Sequence, residues 1–261
     1  MRDPSKRREL ALGVTEMCLA QPLSPTADPI AGDLLVTLSS TIDAPTKIAM
    51  VEKLASSEWA PHSAIRHFAF DEIDVACIVI RNSQRLTQQD MISLAETGSI
   101  DHRRHLAGRA NLGPAVTDVL AKPGEAIILR ALANNATAQI SESALDICLS
   151  VAKDHMKLRE ALARRHDLTA DYATQLCIML PENWREDLYR RFALDKNYVE
   201  GLAVKAALSA TSAGVDTEAA QAVDAAMKSG ALPGNYALTA LRAGKGAVFD
   251  HAVARLCNLT P

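Results

Sequence analysis

The residues best placed for chemistry form two constellations, and the first is histidine-based. Asp101-His102-Arg103-Arg104-His105 sets two histidines three apart on one face of a helix, a spacing that can hold a metal ion. The arginines between them raise the local positive charge, which disfavours a cation. No third ligand is signposted, and His62 and His67 stand five apart. No metal site is expected. The nucleophile and phosphate motifs Gly-x-Ser-x-Gly, His-Glu-x-x-His and Gly-x-x-x-x-Gly-Lys-Ser/Thr are absent. Gly244-Lys245-Gly246 has a glycine where a phosphate loop needs Ser or Thr, and it follows a helical pattern, so it reads as a turn. Neither a catalytic residue nor a cofactor is expected.

The second constellation is a polar stripe. Ser57, Ser83, Arg109, Asn135, Arg165 and Arg191 occupy one position of a sequence repeat, each preceded by a residue such as Asn82, Gly108, Asn134, Arg164 or Arg190. Stacked units would align them along one edge. A planar guanidinium fork matches carboxylate or phosphate, so Arg109, Arg164, Arg165, Arg190 and Arg191 are candidate contacts for an acidic partner. The competing role is local: cations at helix C-termini favour the negative dipole end and bond the last carbonyls. Asp74, Glu125, Asp154 and Glu182 at the opposite ends favour that helix-end role. The two roles can coexist.

The elements that position these residues follow from the repeat. Leu54, Ile80, Leu106, Leu132, Leu162 and Leu188 are separated by 26, 26, 26, 30 and 26 residues. A second apolar anchor at Leu86, Leu112, Ile140, Leu168 and Leu194 keeps intervals of 26, 28, 28 and 26. Each unit holds two short helices. Thr87 with Asp90 resembles a capping box, Gly98 stands where a left-handed C-terminal residue belongs, and a second helix runs from near Ser99 to about Arg109. Gly113-Pro114 and Ser141 start first helices, while Pro123 and Pro181 precede second ones. The expected fold is all-α: a right-handed αα-hairpin solenoid of five to six units with a period of about 26 residues.

The expected organisation is an N-terminal helix (1–20), a proline-spaced linker (21–29), a repeat array (30–194) and a helical cap or small bundle (195–261). In the last part, helical stretches near 198–210, 217–228, 235–243 and 247–257 are punctuated by Gly214, Gly230 and Pro233-Gly234. Its Ala-rich run, 218–226, leaves self-association open.

Composition excludes several classes. The chain has 261 residues, 48% hydrophobic but 4% aromatic, and a net charge of −3. Residues 99–195 carry 13 Lys plus Arg against 13 Asp plus Glu, and aromatics that could stack bases are sparse, so nucleic acid is disfavoured as a partner. No apolar run approaches the roughly 20 residues of a membrane span. Glu9 and Glu16 interrupt any secretory apolar stretch. Cys18, Cys77, Cys148, Cys177 and Cys257 are odd in number and scattered, which fits a reduced, cytoplasmic protein. Trp59 and Trp184 are read as packing anchors.

The run Glu52-Lys53-Leu54-Ala55, Trp59-Ala60-Pro61, Ile65-Arg66-His67-Phe68-Ala69, Val79-Ile80-Arg81-Asn82-Ser83 and Leu162-Ala163-Arg164-Arg165-His166-Asp167-Leu168 resembles the bacterial helical-repeat family catalogued as domain of unknown function 2336. The tail, with Leu241-Arg242-Ala243-Gly244 and Ala252-Val253-Ala254-Arg255-Leu256, is similar more loosely. The resemblance implies an all-α, HEAT-like fold over residues 30–195 and supplies no activity and no catalytic residue. The expected function is a non-enzymatic protein-interaction scaffold, in regulation or signalling. A helical-repeat nucleic-acid binder and an enzyme with a pocket in the C-terminal helices are the alternatives.

Overall fold

Short apolar-striped segments follow one another, and all regular structure among the described residues is α-helical. The computed structural model describes residues 4–202, 221, 223–224, 238, 240, 242 and 246–256. They form α1 (Pro4–Leu19), α2 (Ala27–Ser39), α3 (Ala44–Ala55), α4 (His62–Ala69), α5 (Ile73–Asn82), α6 (Gln88–Thr97) and α7 (Ile100–Ala107). These are followed by α8 (Pro114–Ala121), α9 (Ala126–Asn134), α10 (Glu142–Ala152), α11 (Met156–Ala163), α12 (Ala170–Met179) and α13 (Glu182–Phe192). The chain divides into two compact units, Met1–Trp184 and Arg185–Pro261. That division falls ahead of the expected 194/195 boundary.

In the first unit, odd-numbered helices pack on odd and even on even. Helix α1 lies on α3, α3 on α5, α5 on α7, α7 on α9 and α9 on α11, while α2 meets α4, α6 meets α8 and α8 meets α10. The anchors Leu54, Ile80, Leu106, Leu132 and Leu162 sit on successive odd helices, and all are buried. Burying each such side chain contributes about 1.5–3 kcal/mol. Helix α1 also packs on α2, so it joins the first unit directly.

Local chemistry sets the helix ends. Thr87 Oγ1 accepts from Asp90 N while the Asp90 carboxylate accepts from Thr87 N, a complete capping box. Ser99 and Ser141 cap α7 and α10, and Pro114 occupies the first turn of α8. Helix α2 begins at Ala27, so Pro29 lies in its first turn rather than in a linker; a missing N–H costs nothing there.

Gly98 departs from expectation. Its φ of −67° and ψ of 155° are extended, not left-handed, because the chain passes at once to the Ser99 cap of α7. A Cβ at this position would lie 2.5 Å from Leu94 O, so the glycine is required by contact rather than by dihedral. Left-handed backbone occurs instead at Gly124 (φ 69°), between Pro123 and α9.

The second unit has a small core of Val223 and Ala252, with Val248, Phe249 and Val253 packed against it. The last three and Ala252 belong to a helix over Gly246–Leu256, close to the stretch expected at 247–257. Most of the stretches expected near 198–210, 217–228 and 235–243, and Cys257, lie outside the described residues.

Two glycine substitutions should therefore act in opposite directions. Gly98→Ala forces a Cβ against a carbonyl and should lower unfolding free energy by about 1–3 kcal/mol. Gly13→Ala, inside α1 with no atom within 4 Å of the new Cβ, should raise it by up to about 1 kcal/mol. Urea unfolding of both variants checks the contrast.

Candidate functional site

Three residues of the polar stripe, Arg109, Asn135 and Arg165, form a ladder between odd helices of the first unit. A helix leaves its last carbonyls unpaired, and here the next unit's side chain supplies the donors. Arg109, just past α7, donates to Ile80 O at 2.6 Å and to Ser83 O at 2.5 Å, at the end of α5. Asn135, just past α9, donates through Nδ2 to Ala107 O at 2.8 Å and Arg109 O at 2.6 Å. Arg165, just past α11, donates to Leu132 O, Asn135 O and Ala138 O at 3.3, 2.8 and 2.8 Å. Arg109, Asn135 and Arg165 thus each cap the odd helix before their own, and the carbonyls of Ser83, Arg109 and Asn135 each receive the next donor. The spacing is 26 residues from Ser83 to Arg109 and from Arg109 to Asn135. It is 30 from Asn135 to Arg165.

Arg165 is 4% exposed, and its guanidinium is matched by Asp167, which accepts from Nε at 2.8 Å and Nη2 at 2.5 Å. Burial lowers the pKa of Arg109. Cys148, buried on α10, has its thiol pushed up to about 12 by burial, against a smaller opposing pull from Arg165. It therefore behaves as a small hydrophobe.

The other candidate arginines lie elsewhere. Arg164 is exposed, with its guanidinium carbon 5.5 Å from the centre of the Trp184 ring. In the second unit, Asp187 pairs with Arg190 at 3.8 Å and with Arg191 at 2.9 Å. Trp59, read as a packing anchor, is 38% exposed. Further arginines bond carbonyls where no repeat position marked them: Arg85 bonds Ala60 O at 3.0 Å and Arg159 bonds Met179 O at 2.6 Å.

The histidines divide similarly. His102 commits both ring nitrogens within the fold, to Ser99 Oγ at 2.7 Å and Asp71 O at 2.9 Å. Among the described residues no group of three or more His, Cys, Asp or Glu side chains could hold a metal ion. His62 has a different partner. Side chains link helices α4 and α6: His62 Nε2 lies 2.7 Å from Asp90 Oδ2 and Arg66 Nε 3.5 Å from Oδ1. This link borders an open groove of about 1190 Å³ along α2, α4 and α6, lined in part by Ser63, Arg66, His67, Phe70 and Asp71.

Burial alone would raise the Asp90 carboxyl, but hydrogen bonds from Thr87 and His62 outweigh it and hold the group below its usual range. Asp71 is held low in the same way, with burial outweighed by Lys47 at 2.5 Å and the Glu72 N–H.

The family described as an uncharacterised protein conserved in bacteria (DUF2336) matches residues 75–261. The chain belongs to that family. The DUF2336 match takes in α6–α13 and the second unit, together with Arg109, Asn135 and Arg165. It begins downstream of Trp59-Ala60-Pro61 and of the α4 side of the groove. Curated proteins and solved structures give no match. No helix among the described residues is long and apolar enough to cross a membrane.

Two stability measurements follow. Arg165→Ala strips three carbonyls of their donor and should cost roughly 2–4 kcal/mol in urea unfolding. Arg164→Ala, losing an exposed cation–π contact, should cost less than about 1 kcal/mol. Because Asp90 is held low when folded, its stabilisation is present above the usual carboxylate pKa of about 4 and is lost as pH falls through its folded value. Asp90→Asn should therefore lower stability at pH 7 by about 1–3 kcal/mol and flatten the decline below about pH 4, as unfolding midpoints across pH 2–7 would show.

Proposed function

We propose that the first unit is a HEAT-like αα-hairpin solenoid with units of about 26 residues, in a cytoplasmic protein. Its function is that of a non-enzymatic scaffold that binds another protein in regulation or signalling. The odd-on-odd and even-on-even packing supports the solenoid, as does the 26-residue spacing of the rungs. The observation that carries the function is the inward use of Arg109, Asn135 and Arg165. Those groups hold units together, so the outward helix faces and the open grooves between them are the surface offered to a partner.

Within the sequence-derived arginine set, Arg164 and Arg190 are the exposed members and the charge determinants to test. Arg109 and Arg165 act through stability instead. The test is co-purification from native lysate with wild type and an Arg164→Glu/Arg190→Glu variant matched in circular dichroism, with and without nuclease. A protein held by wild type, resistant to nuclease and lost by the variant is the expected result. Absence of any co-purifying protein, or a partner released by nuclease, overturns the reading.

A further inference from the structure

We propose that α7, α9 and α11 together form a docking surface for an acidic protein segment carrying aliphatic side chains. The proposal rests on the scaffold reading and names the partner's chemistry. Two grooves flank α9. One, of about 590 Å³, lies between α7 and α9 and is bounded by Arg104 and Arg130. The other, of about 330 Å³, lies between α9 and the start of α11 and is bounded by Arg130, Met156 and Lys157. Ile127 and Arg130 line both, so the surface is continuous across α9.

Charge selects the occupant. Among the described residues no carboxylate lies within ion-pair distance of Arg130 or Lys157. Arg104 has only Asp101, at 3.9 Å, with both side chains more than half exposed. Asp154 is the carboxylate lining the second groove, against Arg130 and Lys157. On α7, the pKa of His105 is lowered first by burial and then by Arg81 and Arg104, with Asp101 opposing. This local excess of cations stands in a chain whose net charge is −3.

The apolar residues say what kind of anion. Ile127 is 37% and Met156 40% exposed, beside the cations, and Ile100 opens α7 at 46%. Aliphatic side chains held beside unpaired cations are covered by a segment that brings carboxylates and aliphatic groups together. Neither groove is lined by Phe, Tyr or Trp, and His155 in the second is the one ring on which a base could stack, so an array of stacking platforms is lacking. Packed helices lie about 8–10 Å apart, so crossing from α7 to α11 takes an extended segment of about five or six residues. Carboxylates every third residue, about 10 Å apart, match that spacing.

The test is fluorescence anisotropy of the full chain with a fluorescein-labelled peptide of four Glu-Leu-Ser units. Its Gln-Leu-Ser and Glu-Ser-Ser counterparts and a 12-nucleotide oligothymidine serve as comparators. Saturable binding is expected, weakened about tenfold or more when either Glu or Leu is replaced. The same loss is expected in Arg104→Glu/Arg130→Glu/Lys157→Glu and in Ile127→Ser/Met156→Ser, each matched to wild type in unfolding midpoint, and not in Arg164→Glu/Arg190→Glu. Absence of binding by wild type, equal binding by either surface variant, or tighter binding of oligothymidine overturns the proposal. If a lysate partner is retained by the triple variant, this surface fails while the scaffold reading stands.

Discussion

A short helix cannot satisfy its own last carbonyls, and in this protein that requirement is met from outside the helix. The helices of the first unit are mostly eight to twelve residues long, so terminal carbonyls form a large share of the backbone. Burying those ends between neighbours without donors would cost about 1–3 kcal/mol per group. The ladder of Arg109, Asn135 and Arg165 meets that cost at the joints themselves. Apolar anchors bring the odd helices together; the ladder fixes their mutual register. A one-residue slip would take each donor away from its carbonyl while leaving much of the apolar contact in place.

The rungs differ in how many carbonyls they serve. Asn135 bonds two with a short amide, whereas Arg165 bonds three with the fork of a guanidinium. Burying that charge then calls for Asp167. In the even row the join between α4 and α6 is made by His62, Arg66 and Asp90 instead. The two rows are thus held by different chemistry, neutral carbonyl acceptors in one and a carboxylate in the other.

Much of this was legible in the sequence. The period located the odd helices, and its anchors Leu54 to Leu162 are buried as the pattern requires. The caps at Thr87, Ser99 and Ser141 were readable because their donors and acceptors lie within three residues. The partners of the stripe were not. A cation at a helix end looks the same whether it bonds its own carbonyls, those of the preceding pair or a foreign carboxylate, and only stacking distinguishes them. Gly98 was misread for a related reason: its constraint comes from Leu94 O pressing on a Cβ position, not from its own dihedral. The His62–Asp90 link joins residues 28 apart that share no repeat position, so no periodic signal announced it.

The direction of the ladder also bears on how the protein comes into being on the ribosome. Every rung runs backwards: the donor that closes α5 lies in Arg109, and the donors that close α7 and α9 lie in Asn135 and Arg165. As the chain emerges, α5, α7 and α9 each exist with open carbonyls until the following 26 to 30 residues have been translated. At about 5–20 residues per second that interval lasts roughly 1–6 s. The newest joint is therefore always the least finished one, and maturation proceeds as a wave trailing synthesis by one helix pair.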